Sequence, residues 1–360
     1  MSAVVLQTSF LGDMVLTTPL LDRLAKDEPD GQVHVVATRE NAGLLHNHPA
    51  VSSVIVFDKH GGDLGVNGLR RVAARIRATG ATRALAAQGS WRTALLARLS
   101  GMPEIIGFDT SAARHMYTQQ VHYQAHWHHA ARLWSLASPP SDTVPQEPAL
   151  RPTLYPDSED SLRVETLLRR HGALGRPLIV LAPASAVEAK RWPRFAELAV
   201  LLAAALHEEK QDASLRETKI VVMGSTQDAE LAAAIARQVD LSGRPPVIDA
   251  TGRLGLLAST ALLAQARALV SNDSLPIHLA SATNTPTVAL FGPTVPELGF
   301  GPLAEHSIAL ASIKTGGRQG GSPQAHLKHW QSSDWDSLEN LSLPSVLNAT
   351  LKLARRLPQG

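Results

Sequence analysis

The segment Ala268-Leu-Val-Ser-Asn-Asp-Ser-Leu-Pro-Ile-His-Leu-Ala runs from an apolar strand directly into a helix. Small polar residues fill the turn Ser271-Asn272-Asp273-Ser274, where Asp273 or Ser274 is placed to cap the helix. Pro276 fits the first helical turn, because the N–H it lacks has no partner there. Open N–H groups and the positive end of the helix dipole attract an anion such as a pyrophosphate. His278 follows within reach of phosphate or ribose. The same spacing also describes a plain helix cap with no ligand.

A second strand end carries compatible chemistry. Leu178–Ala182 leads into Pro183-Ala-Ser-Ala-Val-Glu-Ala-Lys-Arg-Trp-Pro, ahead of a helix from Arg194. Ser185 offers a hydroxyl and Lys190 a point charge for phosphate oxygens, while Trp192-Pro193 stiffens the way into the helix. A solvated loop lysine is the plainer alternative. At a third strand end, Gly224 and Ser225 leave little bulk where a nucleotide would approach. Near the N-terminus, Thr8-Ser-Phe-Leu-Gly12-Asp13 is again strand, glycine turn and helix, without the G-x-G-x-x-G of a dinucleotide site. It presents one carboxylate, Asp13, which can deprotonate a hydroxyl or simply cap its helix.

Two patterns invite other chemistry. His126, His128 and His129, with His115 and His122 nearby, are metal-ligating types without acidic or thiolate partners at metal spacing. Asp334-Trp335-Asp336 has the D-x-D form of metal-dependent sugar transferases, but sits in a polar tail beyond the last expected strand. Neither is taken as a site, so no metal is expected.

The elements that must hold these groups alternate along the chain. Strands are expected at Ala3–Gln7, Val33–Ala37, Ser53–Phe57 and Ala84–Ala87, with helices at Pro19–Lys26 and Leu69–Ala78. A second series has strands at Leu178–Ala182, Ile220–Gly224, Val247–Ala250, Ala268–Ser271 and Thr287–Phe291. Its helices are Arg194–His207, Ala229–Val239, Leu256–Ala266 and Ile277–Ala282. Short buried strands between helices imply parallel sheets covered on both faces. The proline-rich stretch from Ser138 to Pro156 separates the two series. A loose segment, Lys314 to Pro323, precedes a last helix around Ser345–Leu357. The fold expected is α/β, two Rossmann-like doubly wound parallel-sheet domains facing across a cleft, with ligands at strand carboxyl ends.

Composition narrows the partners. With 44% hydrophobic and 18% charged residues, disorder and fibrous classes are excluded. No apolar run reaches the ~20 residues of a spanning helix, and the first residues lack the pattern of a signal peptide. The absence of cysteine removes disulfides and thiolate chemistry, and fits a cytoplasmic setting. Lys59, Arg70, Arg71, Arg75, Arg77, Arg83, Arg92, Arg98 and Arg114 face only Asp63, Glu104 and Asp109 in the same span. That excess suits a phosphorylated glycolipid or membrane surface, or is a set of solvated helix faces. Aromatic residues are 4%, too few for the stacking platforms of nucleic-acid binders.

Taken together, Leu11-Gly-Asp-Met-Val-Leu-Thr-Thr-Pro, Ile106-Gly-Phe-Asp, His128 to Arg132, Lys190-Arg-Trp-Pro, Ser271-Asn-Asp-Ser-x-Pro-x-His and Pro286-Thr-Val-Ala-Leu-Phe-Gly-Pro resemble the lipopolysaccharide core heptosyltransferases, glycosyltransferase family nine. The resemblance implies the GT-B fold and an inverting, metal-independent transfer of heptose from ADP-heptose to the inner core of lipopolysaccharide, with no cofactor. It implies a domain 1–155 for the acceptor, a domain 156–340 for the nucleotide sugar, and a C-terminal helix in 341–360 returning toward the N-terminal domain. By the same resemblance Asp13 is the base and Lys190 the partner of the donor phosphates. Gly12, Ser185, Ala186, Gly224, Ser225, Leu254, Asp273, Ser274, Leu275, Pro276 and His278 are the other donor contacts. Arg92, Arg114 and His128 are the acceptor contacts, and the lipid A-core acceptor implies peripheral contact with the inner face of the inner membrane. Two departures stand out: Leu275 where the family usually has glycine, and no cysteine near Ser312–Trp330 where many relatives have several. Another nucleotide sugar or acceptor, and a catalytically silent nucleotide- or glycan-binding relative, are the competing readings.

Overall fold

The computed structural model describes residues 2–28, 31–59, 61–137, 149–210, 212–312 and 338–356. The chain divides into two compact units, Met1–Tyr155 and Pro156–Gly360. In the first, the order is β1 (Ala3–Gln7), α1 (Leu11–Asp27), β2 (Val33–Ala37), α2 (Arg39–Leu44), β3 (Ser53–Val56), α3 (Gly65–Arg77), β4 (Arg83–Ala86), α4 (Trp91–Leu99), β5 (Glu104–Phe108), β6 (Gln119–Val121) and α5 (His129–Ser135). The second contains α6 (Ser158–Arg170), β7 (Leu178–Ala182), α7 (Phe195–Glu208), α8 (Ala213–Arg216), β8 (Lys219–Val222), α9 (Ala229–Leu241), β9 (Ile248–Asp249) and α10 (Leu256–Ala264). It continues through β10 (Ala266–Asn272), α11 (Leu275–Ala282), β11 (Thr287–Phe291), β12 (Ile308–Ala311) and α12 (Leu343–Ala354).

Each unit is one wholly parallel six-stranded sheet, ordered β3-β2-β1-β4-β5-β6 in the first and β12-β11-β10-β7-β8-β9 in the second. Both therefore have the same doubly wound topology, with the connection reversing between β1 and β4 and between β7 and β10. Ligands in such sheets settle beyond the strand carboxyl ends at that reversal, where the loops part. The central strands β1, β2, β7 and β11 are buried along their whole length, as helices on both faces require. In the first unit, α3 and α4 cover one face through Leu69, Val72, Ile76, Ala94 and Leu96, while α1 packs with α2 and α5.

Helix α1 starts at Leu11 rather than at Pro19, which puts Gly12 and Asp13 inside its first turn. Pro19 lies within the helix because the carbonyl its missing N–H would have served, Val15 O, accepts from Thr18 Oγ1 at 2.8 Å. The first unit's end is tied back to this helix. Thr153 N donates to Thr18 Oγ1 at 2.9 Å and Thr153 Oγ1 to Asp22 Oδ2 at 2.7 Å. The last helix buries Leu343, Val346, Leu353 and Ala354 in the second unit's core, beside α7 and β10. The stretches 138–148, 313–330 and Asp334-Trp335-Asp336 lie outside the described residues.

Candidate functional site

In the second unit the two expected strand ends meet at the reversal. The loop after β7 and the turn after β10 are stapled by Asn272, whose Nδ2 donates to Pro183 O at 2.7 Å and whose Oδ1 accepts from Trp192 N at 3.0 Å. Trp192 is buried against Phe195 and donates through Nε1 to Leu341 O at 3.2 Å, so the loop leading to α7 is anchored. This frame brings Lys190 Nζ to 2.6 Å from Asp273 Oδ2, with both side chains mostly buried. Thr294 Oγ1 donates to the same oxygen at 2.6 Å. Arg191 is turned away and donates through Nε to Ser185 O at 2.7 Å.

The start of α11 differs from the expected cap. Ser274 holds the N-cap position, but its hydroxyl bonds to Ala184 O and Asn272 O, both at 3.3 Å, and does not cap the helix. Asp273 does not cap it either: its amide donates to Leu290 O at 3.0 Å and its carboxylate is taken by Lys190 and Thr294. Among the described residues, the amides of Ser274 and Leu275 have no acceptor, and Pro276 has no N–H. The helix N-terminus is thus open, with a lysine beside it. Leu275 is the first helical residue and has no left-handed φ, so a side chain is tolerated where the family usually has glycine. His278 is buried in the opening turn of α11, its ring 6.5 Å from that of Phe300.

Other expected contacts surround this turn less directly. Ser185 is buried and its hydroxyl accepts from Val187 N at 3.4 Å, while Ala186 is exposed and Leu254 half-buried ahead of α10. At Gly224 the absent side chain makes room for protein: a Cβ there would meet Asp228 Cβ and Oδ2 at 3.0 Å and Thr251 at 3.3 Å. Ser225 donates through both N and Oγ to Asp228 Oδ2 at 2.7 Å, so it caps a turn. Thr294 is a further residue of this turn, and its signal in the sequence is its place just after Phe291-Gly-Pro, at the carboxyl end of β11.

In the first unit, a cavity of about 250 Å³ opens at the β1/β4 reversal. Gln7, Ser9 and Asp13 line it from the end of β1 to the start of α1, Gln88 and Gly89 from beyond β4, and Phe108, Thr110 and Ser111 from the end of β5 and the loop after it. Tyr123 and His129 complete it. Gln7 ties the floor, donating to Thr17 Oγ1 at 3.1 Å and accepting from Ser9 N at 3.2 Å; Thr17 in turn donates to Asp13 O at 2.6 Å. The Asp13 carboxylate sits in the first turn of α1, where the helix dipole favours its charge, and its Oδ1 lies 3.7 Å from His129 Nε2. The carboxylate lines the cavity, so a ligand hydroxyl entering there can approach it.

The expected acceptor contacts sort differently. His128 is the N-cap of α5, with Nδ1 accepting from Ala130 N at 3.2 Å; its neighbour His129 is the one that lines the cavity. Arg92 and Arg114 are exposed and do not line it. His122 is engaged with Asp109 at 2.7 Å and His126 stacks edge-on with Trp127, which accounts for two more of the histidines.

Arg132 braces the cavity wall. It is 3% exposed and donates to Gln124 O at 3.0 Å, Tyr123 OH at 2.8 Å and Ala125 O at 2.7 Å, with its guanidinium over the Tyr123 ring. Burial pulls its guanidinium below its ordinary pKa, and Tyr123 partly offsets that. Arg132→Ala leaves three acceptors without their donor and costs about 3 kcal/mol or more, since bonds to charged groups are worth ~1.5–3 each. Thermal unfolding should show the first unit's transition falling by roughly 6 °C or more; an unchanged transition would assign the wall's order to other contacts.

Comparison with known proteins places this geometry. The family model of glycosyltransferase family 9 (heptosyltransferase) matches residues 69–331. Lipopolysaccharide heptosyltransferase 2 of Salmonella typhimurium is 27% identical over 323 residues, covering 88% of this chain and 89% of its own. A crystal structure of a family 9 glycosyl transferase from Veillonella parvula superposes with a TM-score of 0.83 at 25% identity, over 98% of this chain and 97% of that one. The ADP-heptose lipopolysaccharide heptosyltransferase II of E. coli has the same fold, with a TM-score of 0.75 at 23% identity over 98% of both chains.

Proposed function

The chain belongs to glycosyltransferase family 9, and on that premise we propose that it transfers heptose from ADP-heptose to a hydroxyl of a lipopolysaccharide inner core. The observation that carries the donor half is Lys190 held at 2.6 Å from Asp273, beside the open N-terminus of α11 at the sheet's reversal. A diphosphate there meets a half-buried cation and unspent amides, the two things its charge requires. The names of the relatives supply the sugar and the acceptor.

In this mechanism the acceptor oxygen attacks the anomeric carbon from the face opposite ADP. The acceptor proton passes to Asp13, and the bond from the anomeric carbon to the phosphate oxygen breaks. Charge collects on the departing diphosphate, where Lys190 and the α11 amides stabilise it. Inversion at the anomeric centre follows from the single in-line displacement, and the steps need neither metal nor cofactor. A lipid-anchored acceptor brings the protein into peripheral contact with a membrane from the cytoplasmic side.

A donor screen by thermal shift with ADP-, GDP- and UDP-sugars tests the donor, because binding to the native state alone raises stability by mass action. ADP-heptose is expected to stabilise most, and ADP release is expected only with a purified core acceptor. Selective stabilisation by a UDP- or GDP-sugar overturns the donor assignment. Binding of ADP-heptose without release marks a silent relative.

A further inference from the structure

From the charge on its helices, we propose that the first unit docks on an anionic lipid bilayer through the outer face of α3 and α4. This deepens the lipid-acceptor reading and rests on it for its purpose, while the surface itself is argued from its own chemistry. α3 carries Arg70, Arg71, Arg75 and Arg77, α4 carries Arg92 and Arg98, all exposed, and neither helix contains an Asp or Glu. Helices without a carboxylate do not form the mixed-charge surface usual for a solvated face. Asp63, just ahead of α3 in sequence, is already committed to Asp58 N at 3.1 Å and to Arg71.

The two helices lie side by side on one face of the sheet. Arg77 pins their far ends together, donating to Leu99 O at 2.8 Å and Ser100 O at 3.3 Å. Each follows a parallel strand, β3 or β4, so both start at the same edge. At that edge the exposed residues change from basic to apolar: Leu64 is 64% exposed, Val66 61% and Trp91 55%. The Arg92 guanidinium lies 5.8 Å from the Trp91 ring. Apolar side chains and a tryptophan beside a field of arginines match the boundary between acyl chains and anionic headgroups. Lipid phosphates supply the negative charge that neither helix carries and that Asp63 offers to Arg71 alone. The 250 Å³ cavity opens at the same carboxyl edge of the sheet, so docking there holds a lipid-linked sugar near Asp13.

The test is co-sedimentation of the full chain with vesicles of phosphatidylcholine alone or with phosphatidylglycerol, without any glycolipid acceptor. The protein is expected to bind only the phosphatidylglycerol vesicles and to be released as salt rises. The Arg70→Glu/Arg98→Glu variant should partition at least about tenfold more weakly, and Val66→Ser/Trp91→Ser should weaken binding with charge unchanged. Turnover of a soluble, delipidated acceptor should stay at the parent's level in the charge-reversal variant, which shows that it folds. Equal binding to both vesicle types, parent-like binding by Arg70→Glu/Arg98→Glu, or preferential binding of a single-stranded oligonucleotide overturns the proposal. Absent turnover in the parent bears on the transfer reading alone, because vesicle binding is measured without it.

Discussion

Asp13→Asn is expected to lower turnover at least ~100-fold while ADP binds the variant as it binds the parent. Asparagine keeps the shape of the side chain and its place in the first turn of α1, and the backbone bond from Thr17 Oγ1 to Asp13 O is untouched. What it loses is basicity. An amide cannot accept the acceptor's proton, so the hydroxyl must attack without losing it or give it to water. A 100-fold loss corresponds to about 2.7 kcal/mol in the barrier, the low end for a positioned general base. The fold should register far less: loss of a carboxylate at a helix N-terminus costs ~0.3–1 kcal/mol. Steady-state rates with saturating ADP-heptose, beside ADP titration by calorimetry, separate the two. A variant that turns over within a few-fold of the parent would sink the base assignment, whatever the affinity.

Much of this framework is legible in the sequence, and for a physical reason. Ala3–Gln7, Val33–Ala37, Leu178–Ala182 and Thr287–Phe291 are strands at their expected bounds because central parallel strands bury both faces and read as unbroken apolar runs. β6, Gln-Gln-Val at Gln119–Val121, is an edge strand of three residues with no such run, and nothing in its sequence marks it. α4 is equally unmarked, since its nine residues carry no strong periodic stripe, and α2 and α5 are shorter still.

Among site residues, Lys190 and Asp273 were each visible as a type at a strand end. Their pairing was not, because it depends on β7 lying next to β10, a non-local fact of sheet order. Asn272, buried in the turn, looked like any small polar turn residue; only its two bonds to Pro183 and Trp192 reveal a staple. His128 and His129 cannot be told apart in the sequence, because both are histidines of one run. Which of them caps α5 and which faces the cavity depends on where that helix begins.

The Lys190–Asp273 pair carries the second large effect. Lys190→Ala should weaken ADP binding at least about 100-fold, the lost phosphate contact and an uncovered Asp273 charge acting together. A bond to a charged group is worth about 1.5–3 kcal/mol, and its loss gives roughly tenfold to a little over 100-fold by itself. Removing the lysine also strips Asp273 of its cation, leaving a mostly buried carboxylate beside the site meant for two phosphates. Only Thr294 Oγ1 among its two side-chain partners remains, and a hydroxyl does not cancel the charge. The repulsion is therefore testable separately from the lost attraction. Adding Asp273→Asn to Lys190→Ala removes the negative charge while keeping an acceptor for Thr294, and should recover roughly tenfold in ADP affinity. Asp273→Asn alone frees Lys190 for the diphosphate, so its ADP affinity should hold or rise. If the double variant binds no better than Lys190→Ala, Asp273 does not face the ligand. If Lys190→Ala itself binds ADP as the parent does, the diphosphate does not sit at this turn.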